Sequence, residues 1–65
     1  MKVQSSTISE IDYQDNILTV TFNNGRVYTY EGVSRELFEK LVNSESKGKF
    51  FHENINSRFN FKRIK

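Results

Sequence analysis

The chain has 65 residues, no cysteine, no proline and a formal net charge of +2. A chain of this length forms one small domain, and without cysteine it must be held together by packing alone, because no disulfide framework or thiolate metal site can form. No apolar run is long enough for a membrane span or a secretion signal, so we expect a cytoplasmic protein that is a monomer or a weak homodimer.

Positive charge collects in the C-terminal part of the chain. Residues 1–46 carry four basic and seven acidic side chains, whereas residues 47–65 carry six basic and one acidic side chain. This asymmetry indicates a surface for phosphates or for an acidic protein, or else a solvated basic tail.

The N-terminal half has the composition and alternation of β-strands. Residues 5–13 are rich in β-branched and hydroxyl side chains, which favours a first strand. Residues 14–16 have the composition of a turn, and residues 17–22 then alternate between apolar side chains and threonine. A third strand is predicted over residues 26–30, after an Asn-Gly turn.

After Gly32 the apolar period changes from two to about 3.6 residues, which predicts an amphipathic helix capped by Ser34. A second short helix is predicted over residues 47–55, capped by Ser46. Gly48 weakens it by about 1 kcal/mol relative to alanine, so close packing or a ligand is expected to require this glycine. Residues 58–62 alternate again and predict a fourth, edge strand. The fold class is therefore α+β, with a small antiparallel meander of three or four strands packed against two short helices.

The loop between the second and third strands decides where Tyr28 and Tyr30 point. A two-residue Asn24-Gly25 turn would place both rings on the exposed sheet face, where they could stack on bases or dock a partner. A three-residue loop over residues 23–25, with the glycine left-handed, places them on the face that packs against the helices. We favour the three-residue loop, because so small a domain can hardly spare two large aromatic side chains from its core.

Side chains that would support catalysis are few. Ser44 and Lys47 have the spacing of an acylating serine and its lysine, but 65 residues leave little room for an oxyanion hole and a substrate cleft. His52 is the only histidine and is expected on a helix surface, whereas Asp12 and Asp15 are expected to flank a turn. We therefore expect no enzymatic activity, no cofactor and no metal site.

Basic and aromatic residues are interleaved towards the C-terminus, a pattern suited to neutralising phosphates and stacking bases. The residues predicted to contact RNA are Tyr28, Tyr30, Lys47, Lys49, Arg58, Lys62 and Arg63. The phenylalanines also have a structural interpretation, in which Phe51 packs with Ile55 and either Phe59 or Phe61 closes one end of the core. The alternative function is a protein–protein interaction module, such as a phage or accessory protein that docks on a larger host protein.

A set of short motifs occurs in a characteristic order along the chain: Ser5-Ser6-x-Ile8, Tyr13, Leu18-x-Val20-x-Phe22, Gly25, Tyr28-x-Tyr30, Gly32-Val33, Ser46-x-Gly48-Lys49-Phe50-Phe51 and Ile55. In these motifs the chain resembles the KTSC domain, which occurs at the C-terminus of some lysyl-tRNA synthetases and in stand-alone bacterial and phage proteins. The resemblance implies one domain over residues 1–65, and the synthetase context suggests RNA binding. The chain departs from the family pattern at Ser34, where a proline is common. It also departs at Asn56, where an arginine is common, so we expect no phosphate contact from Asn56.

Overall fold

The computed structural model describes all 65 residues, in two layers. Four antiparallel strands form a sheet in the order β1-β2-β3-β4, and both helices lie between the third and fourth strands in the chain. The elements are β1 (Ile8–Gln14), β2 (Ile17–Phe22), β3 (Val27–Glu31), α1 (Arg35–Asn43), α2 (Lys47–Asn54) and β4 (Phe61–Arg63). The predicted α+β meander is confirmed. Neither helix has the length and apolar composition needed to cross a membrane.

The first strand begins later than the sequence predicts. The hydroxyl of Ser5 accepts hydrogen bonds from the backbone N–H groups of Thr7 at 3.2 Å and Ile8 at 3.3 Å. Residues 5–7 are therefore held in a side-chain-bonded turn that competes with strand pairing. The predicted turn after β1 is confirmed, because Asp15 and Asn16 both have the positive φ values, 52° and 66°, of a two-residue hairpin turn.

The loop between β2 and β3 has the three-residue form. Gly25 has a φ of 91°, and the N–H of Phe22 donates to the carbonyl of Arg26 at 2.9 Å across the loop. In the resulting register Val20 lies opposite Tyr28. Because side chains directly opposite one another share a sheet face, both tyrosines of β3 lie on the face that packs against the helices, as the favoured register predicts.

The two helices begin differently. At α1 the hydroxyl of Ser34 accepts a hydrogen bond from the N–H of Leu37 at 3.1 Å, which confirms the predicted cap. Ser46 occupies the equivalent position before α2, but its side chain makes no capping bond. Its backbone N–H instead donates to the hydroxyl of Ser44 at 3.2 Å. Ser46 thus stands at the predicted N-cap position, but the expected capping bond from its side chain is absent, and α2 ends one residue earlier than predicted.

Gly48 allows α2 to lie close to the turn that precedes β1. A Cβ atom built at this glycine would lie 3.1 Å from the hydroxyl oxygen of Thr7 and 3.2 Å from its Cβ. Close packing therefore accounts for a glycine inside a short helix.

The core lies between the sheet and the helices and contains no polar side chain other than the hydroxyl of one tyrosine. Its buried residues are Ile8, Ile11, Leu18, Val20, Tyr30, Val33, Leu41, Phe51 and Ile55. The predicted pair of Phe51 and Ile55 is thus confirmed. Phe59 packs against this core, whereas 56% of Phe61 is exposed, so Phe59 is the residue that closes its end.

The fourth strand is shorter and lies later in the chain than the predicted segment 58–62. Ser57 has a φ of 69°, and the N–H of Arg58 donates to the carbonyl of Ile55 at 3.1 Å. The chain therefore turns where alternation predicts strand. It reaches β3 at Asn60, whose carbonyl accepts the N–H of Glu31 at 2.9 Å, and Phe61 then lies opposite Tyr30.

Candidate functional site

An open groove lies where α2 crosses the helix-facing side of β3 and β4. It encloses about 400 Å³. We call it the aromatic groove; its lining residues are Thr7, Phe22, Asn24, Arg26, Tyr28, Tyr30, Gly48, Phe51, His52, Asn56 and Phe61. The groove is thus assembled from three strands, the loop between β2 and β3, the helix α2, and the turns before β1 and after α2.

Five aromatic rings form one continuous cluster along this groove. Phe51 meets Tyr30 and Phe22 edge to face, with ring centroids 5.2 and 5.5 Å apart. Tyr28 stacks beside Tyr30 at 6.5 Å, and Phe61 leans against Tyr28 at 5.9 Å. Tyr30 and Phe51 are buried, whereas Tyr28 and Phe22 are half-buried and Phe61 is exposed. The cluster therefore runs from the core to the surface and offers ring faces to a ligand.

The hydroxyls of Tyr28 and Tyr30 are free, in contrast to that of Tyr13. Tyr13 donates to the carbonyl of Val33 at 2.7 Å and so fixes β1 against the start of the helical layer. Tyr30 is only 3% exposed, yet its hydroxyl bonds to no protein group. Since no side-chain oxygen of the protein is both buried and without a partner, this hydroxyl keeps a small contact with solvent, and Tyr30 is one of the residues that line the groove. A ligand there would find a donor already in place.

Burial raises the pKa of Tyr30 to about 12, and the neighbouring Tyr28 adds to the rise. A tyrosine in an unfolded chain has a pKa of about 10. The folded protein thus favours the protonated hydroxyl, and the raised pKa keeps Tyr30 protonated to a higher pH than an unfolded tyrosine.

This pKa shift predicts a loss of stability in alkaline solution. The folded pKa lies above the unfolded one, so the stabilisation is fully present below about pH 10 and is lost as the pH rises towards 12. We expect the urea midpoint of the wild-type domain to fall more steeply over this interval than that of Tyr30→Phe, which has no group to ionise at this position. Parallel pH profiles for the two proteins would contradict the assignment.

The polar side chains of the groove include no carboxylate. Arg26 supplies a guanidinium, and Asn24 uses its side-chain oxygen to accept the N–H of Arg26 at 3.0 Å, which leaves its NH2 group free. The side-chain amide of Asn56 lies 3.4 Å from Nδ1 of His52. When Asn56 donates to Nδ1, the histidine carries its proton on Nε2 and offers it as a further donor. The groove is therefore rich in donors and carries no negative charge.

The sequence-predicted RNA contacts fall in several places. Tyr28 and Tyr30 line the groove. Arg63 lies opposite Tyr28 on the same sheet face, but it does not line the groove, and its Nε donates to the backbone carbonyl of Lys65 at 3.3 Å. Lys62 alternates with it and lies on the other face of the sheet. Arg58 is exposed after α2, and its Nε donates to the carbonyl of Glu53 at 3.0 Å.

Lys47 and Lys49 line a second, wholly polar cavity of about 480 Å³ at the start of α2. This cavity adjoins the aromatic groove, because Thr7 and Gly48 line both. The two lysines therefore lie beside the groove rather than in it. The Nζ of Lys47 donates to the backbone carbonyl of Ser44 at 3.0 Å. The hydroxyl of Ser44 accepts the backbone N–H of Ser46. No hydrogen bond therefore joins the side chains of Ser44 and Lys47, as a nucleophile and its base would require.

Sequence reasoning missed Arg26, Asn24, Asn56 and Phe61 as groove residues. The register itself could have identified Arg26, since the favoured loop sets it opposite Phe22 and two residues before Tyr28, on the same face. No local pattern indicates Asn56, because its position depends on the turn that follows α2. For Phe61 the sequence predicts either a place among the aromatics interleaved with the basic residues or one that closes the end of the core, and it does not indicate contact with the tyrosines.

Three comparisons with known proteins bear on this chain. Residues 4–59 match the model of the KTSC domain. The chain is 35% identical over 66 residues to a lysine–tRNA ligase of Trichormus variabilis, in an alignment covering 98% of the chain but only 12% of the ligase. It is also 36% identical over 59 residues to a protein of Tsukamurella paurometabola, with 88% of each covered. A crystal structure of a KTSC domain protein from Yersinia pestis superposes with a TM-score of 0.92 at 34% identity, covering 100% of this chain and 94% of that one.

Proposed function

We propose that this chain, which belongs to the KTSC domain family, is a cytoplasmic, non-enzymatic domain that binds single-stranded RNA through the aromatic groove. The observation that carries the proposal is the groove itself, with ring faces and free hydrogen-bond donors and no carboxylate. Similarity to lysine–tRNA ligases, proteins named for a tRNA substrate, supports an RNA ligand, although the chain spans only 12% of their length.

Stacking supplies the first part of the expected affinity. Bases of single-stranded RNA stack on aromatic side chains with about 1–3 kcal/mol per base, and every base has a ring face that can do so. Phe61 and Tyr28 present ring surface at the rim of the groove. A paired RNA helix keeps its bases stacked on one another, so the groove suits single strands.

Charge supplies the second part. Arg26 lines the groove, Arg63 lies on β4 opposite the groove residue Tyr28, and Lys47 and Lys49 line the adjoining cavity. These four basic side chains lie around one region of the surface, where they can neutralise successive phosphates of a bound strand. Binding should therefore weaken as salt displaces the strand.

The decisive experiment is an NMR titration of labelled protein with a short mixed-sequence single-stranded RNA at low and moderate salt. We expect shifts in the backbone amides of Arg26, Phe61 and Arg63 and in the ring of Tyr28, with affinity falling as salt increases. Each phosphate contact contributes about −0.7 to the slope of log K against log salt for a single strand. A double variant, Arg26→Gln with Arg63→Gln, should reduce that slope by up to about 1.4.

The matched control removes two positive charges from α1 instead, with Arg35→Gln and Lys40→Gln. These side chains pair with Glu39 and Glu36 on the exposed helix surface. The control should keep the wild-type slope. A spectrum without shifts at millimolar RNA would refute the proposed function, as would equal losses in the two double variants.

A protein-docking function remains the second candidate, and one observation favours it. β4 is the exposed outer strand of the sheet, and Phe61 and Ile64 beside its open edge are 56% and 60% exposed. An extended segment of a partner could pair with that edge. Saturable capture of one protein that RNA does not displace would favour this function over RNA binding.

A further inference from the structure

The two outer edges of the sheet differ in whether their backbone groups are already paired. Along β1 the N–H of Ile11 donates to the carbonyl of Met1 at 2.8 Å, and the N–H of Val3 donates to the carbonyl of Ser9 at 3.1 Å. Residues 1–3 therefore pair along that edge. β4 ends the sheet on the other side, and no strand lies beyond it. β4 is thus the edge at which another strand can join the sheet.

The hydrogen bonds between β4 and β3 show which backbone groups of β4 are free. The carbonyl of Asn60 and the N–H of Ile64 bond to β3 at 2.9 and 2.8 Å. In an antiparallel pair the residues that bond to the neighbouring strand alternate with residues whose N–H and C=O groups point the other way. Phe61 and Arg63 are the alternating residues here. Each therefore directs an N–H and a C=O group at the open edge.

The side chains beside this edge are apolar or positively charged. Phe61 and Ile64 are 56% and 60% exposed, and they lie on opposite faces of the sheet. No carboxylate occurs in residues 58–65, whereas four side chains there are basic: Arg58, Lys62, Arg63 and Lys65. A strand that joins β4 therefore meets both exposed apolar surface and uncompensated positive charge.

This charge disfavours a second copy of the chain at the edge. The fullest overlap of two antiparallel β4 strands would put the two Lys62 side chains opposite each other. Like charges directly opposite one another destabilise a strand pair, whereas opposite charges stabilise it. The open edge thus suits a strand that carries carboxylates.

We infer that β4 accepts an extended acidic segment of another protein, which adds to the sheet as an antiparallel strand. This interaction goes beyond RNA binding and does not depend on it. Because residues directly opposite one another share a sheet face, the added strand needs carboxylates opposite Arg63 and Lys62 and an aromatic side chain opposite Phe61. Along the added strand this order is acidic, acidic, aromatic. Main-chain hydrogen bonds then supply affinity, and the side chains supply specificity.

The test is an NMR titration of labelled protein with the end-capped peptide Thr-Val-Glu-Glu-Phe-Thr, whose two glutamates would lie opposite Arg63 and Lys62. We expect shifts and slower hydrogen exchange at the backbone amides of Phe61 and Arg63, which gain acceptors in the complex. A charge-reversed peptide with two lysines in place of the glutamates should bind at least about ten-fold more weakly, because two attractive cross-strand pairs become repulsive.

N-methylated peptides distinguish strand addition from a general attraction of charges. The peptide residue opposite Arg63 directs its N–H at β4, whereas the N–H of the residue opposite Lys62 points away. Methylation of the first glutamate nitrogen should weaken binding about five-fold, since one main-chain hydrogen bond is lost. Methylation of the second glutamate nitrogen is the matched control and should change the affinity little.

A pair of protein variants places the interaction on the β4 edge. Lys62→Gln should weaken binding of the acidic peptide about three-fold, the loss of one cross-strand charge pair. Lys2→Gln removes an exposed lysine at the opposite edge of the sheet, where Lys2 pairs with Glu10, and should keep the wild-type affinity. Equal losses in the two variants would overturn the assignment to β4.

The remaining outcomes separate this inference from RNA binding. Equal binding of the charge-reversed peptide would overturn the acidic partner, and equal binding of the two N-methylated peptides would overturn strand addition. Shifts with the mixed-sequence RNA but none with the acidic peptide at millimolar concentration would overturn this inference alone. Shifts with the peptide but none with RNA would support it and refute RNA binding.

Discussion

Phe51→Ala is expected to leave the domain largely unfolded at room temperature. Phe51 is 5% exposed and meets both Tyr30 and Phe22 edge to face. Removing a buried phenylalanine ring costs about 3–5 kcal/mol, through lost transfer free energy and the cavity left behind. A domain of 65 residues has a total unfolding free energy of only about 3–10 kcal/mol. The loss from this one substitution can therefore equal most of the free energy of unfolding.

Urea denaturation followed by circular dichroism measures this effect, with Phe50→Ala as the control. Phe50 is the preceding residue of α2 and carries the same ring, but it is only half-buried. We expect Phe50→Ala to show a cooperative transition at a moderately reduced urea midpoint, and Phe51→Ala to show little or no folded baseline. A smaller loss for Phe51→Ala than for Phe50→Ala would contradict the packing described here.

The same ring explains why the groove and the core cannot be separated. Phe51 packs edge to face against Tyr30, and Tyr28 stacks beside Tyr30. Any ligand that stacks at the rim therefore contacts a cluster whose inner rings also hold α2 to the sheet. Binding should stabilise the fold, since a ligand that binds only the native state shifts unfolding by mass action.

Most of the fold could be predicted because its determinants are local. Alternation along β2 and the 3.6-residue period after Gly32 each follow from one face being buried. The loop form followed from a physical constraint rather than a pattern, namely that a small domain must bury its tyrosines. The missed boundaries share another cause, because Ser5 and Ser57 impose turn geometry that composition alone does not reveal.

The candidate site was less predictable, because it depends on contacts between distant parts of the chain. Lys62 and Arg63 are equally basic neighbours, yet strand alternation places only Arg63 on the face of the tyrosines. The register of β4 against β3 decides between them, and that register depends on where the preceding turn ends. Sequence reasoning grouped aromatic and basic residues but could not determine which of them share a surface.

Phe61→Ala is expected to lower the affinity for single-stranded RNA about ten-fold, the loss of one base–aromatic stack of ordinary strength. Phe61 is 56% exposed, so the variant should retain most of the stability of the wild-type domain. Ile64→Ala is the matched control, since Ile64 is 60% exposed in the same C-terminal segment. The N–H of Ile64 donates to the carbonyl of Val27, and in this register the side chain of Ile64 lies on the sheet face away from the groove.

Titrations of both variants with the same RNA, alongside their urea midpoints, distinguish stacking from a general loss of surface. The groove predicts a large loss of affinity for Phe61→Ala, almost none for Ile64→Ala, and similar midpoints for the two. Equal losses would mean that the strand contacts the exposed C-terminal segment without entering the groove. If neither variant lost affinity, basic side chains alone would account for binding, and the salt dependence would carry nearly all of the affinity.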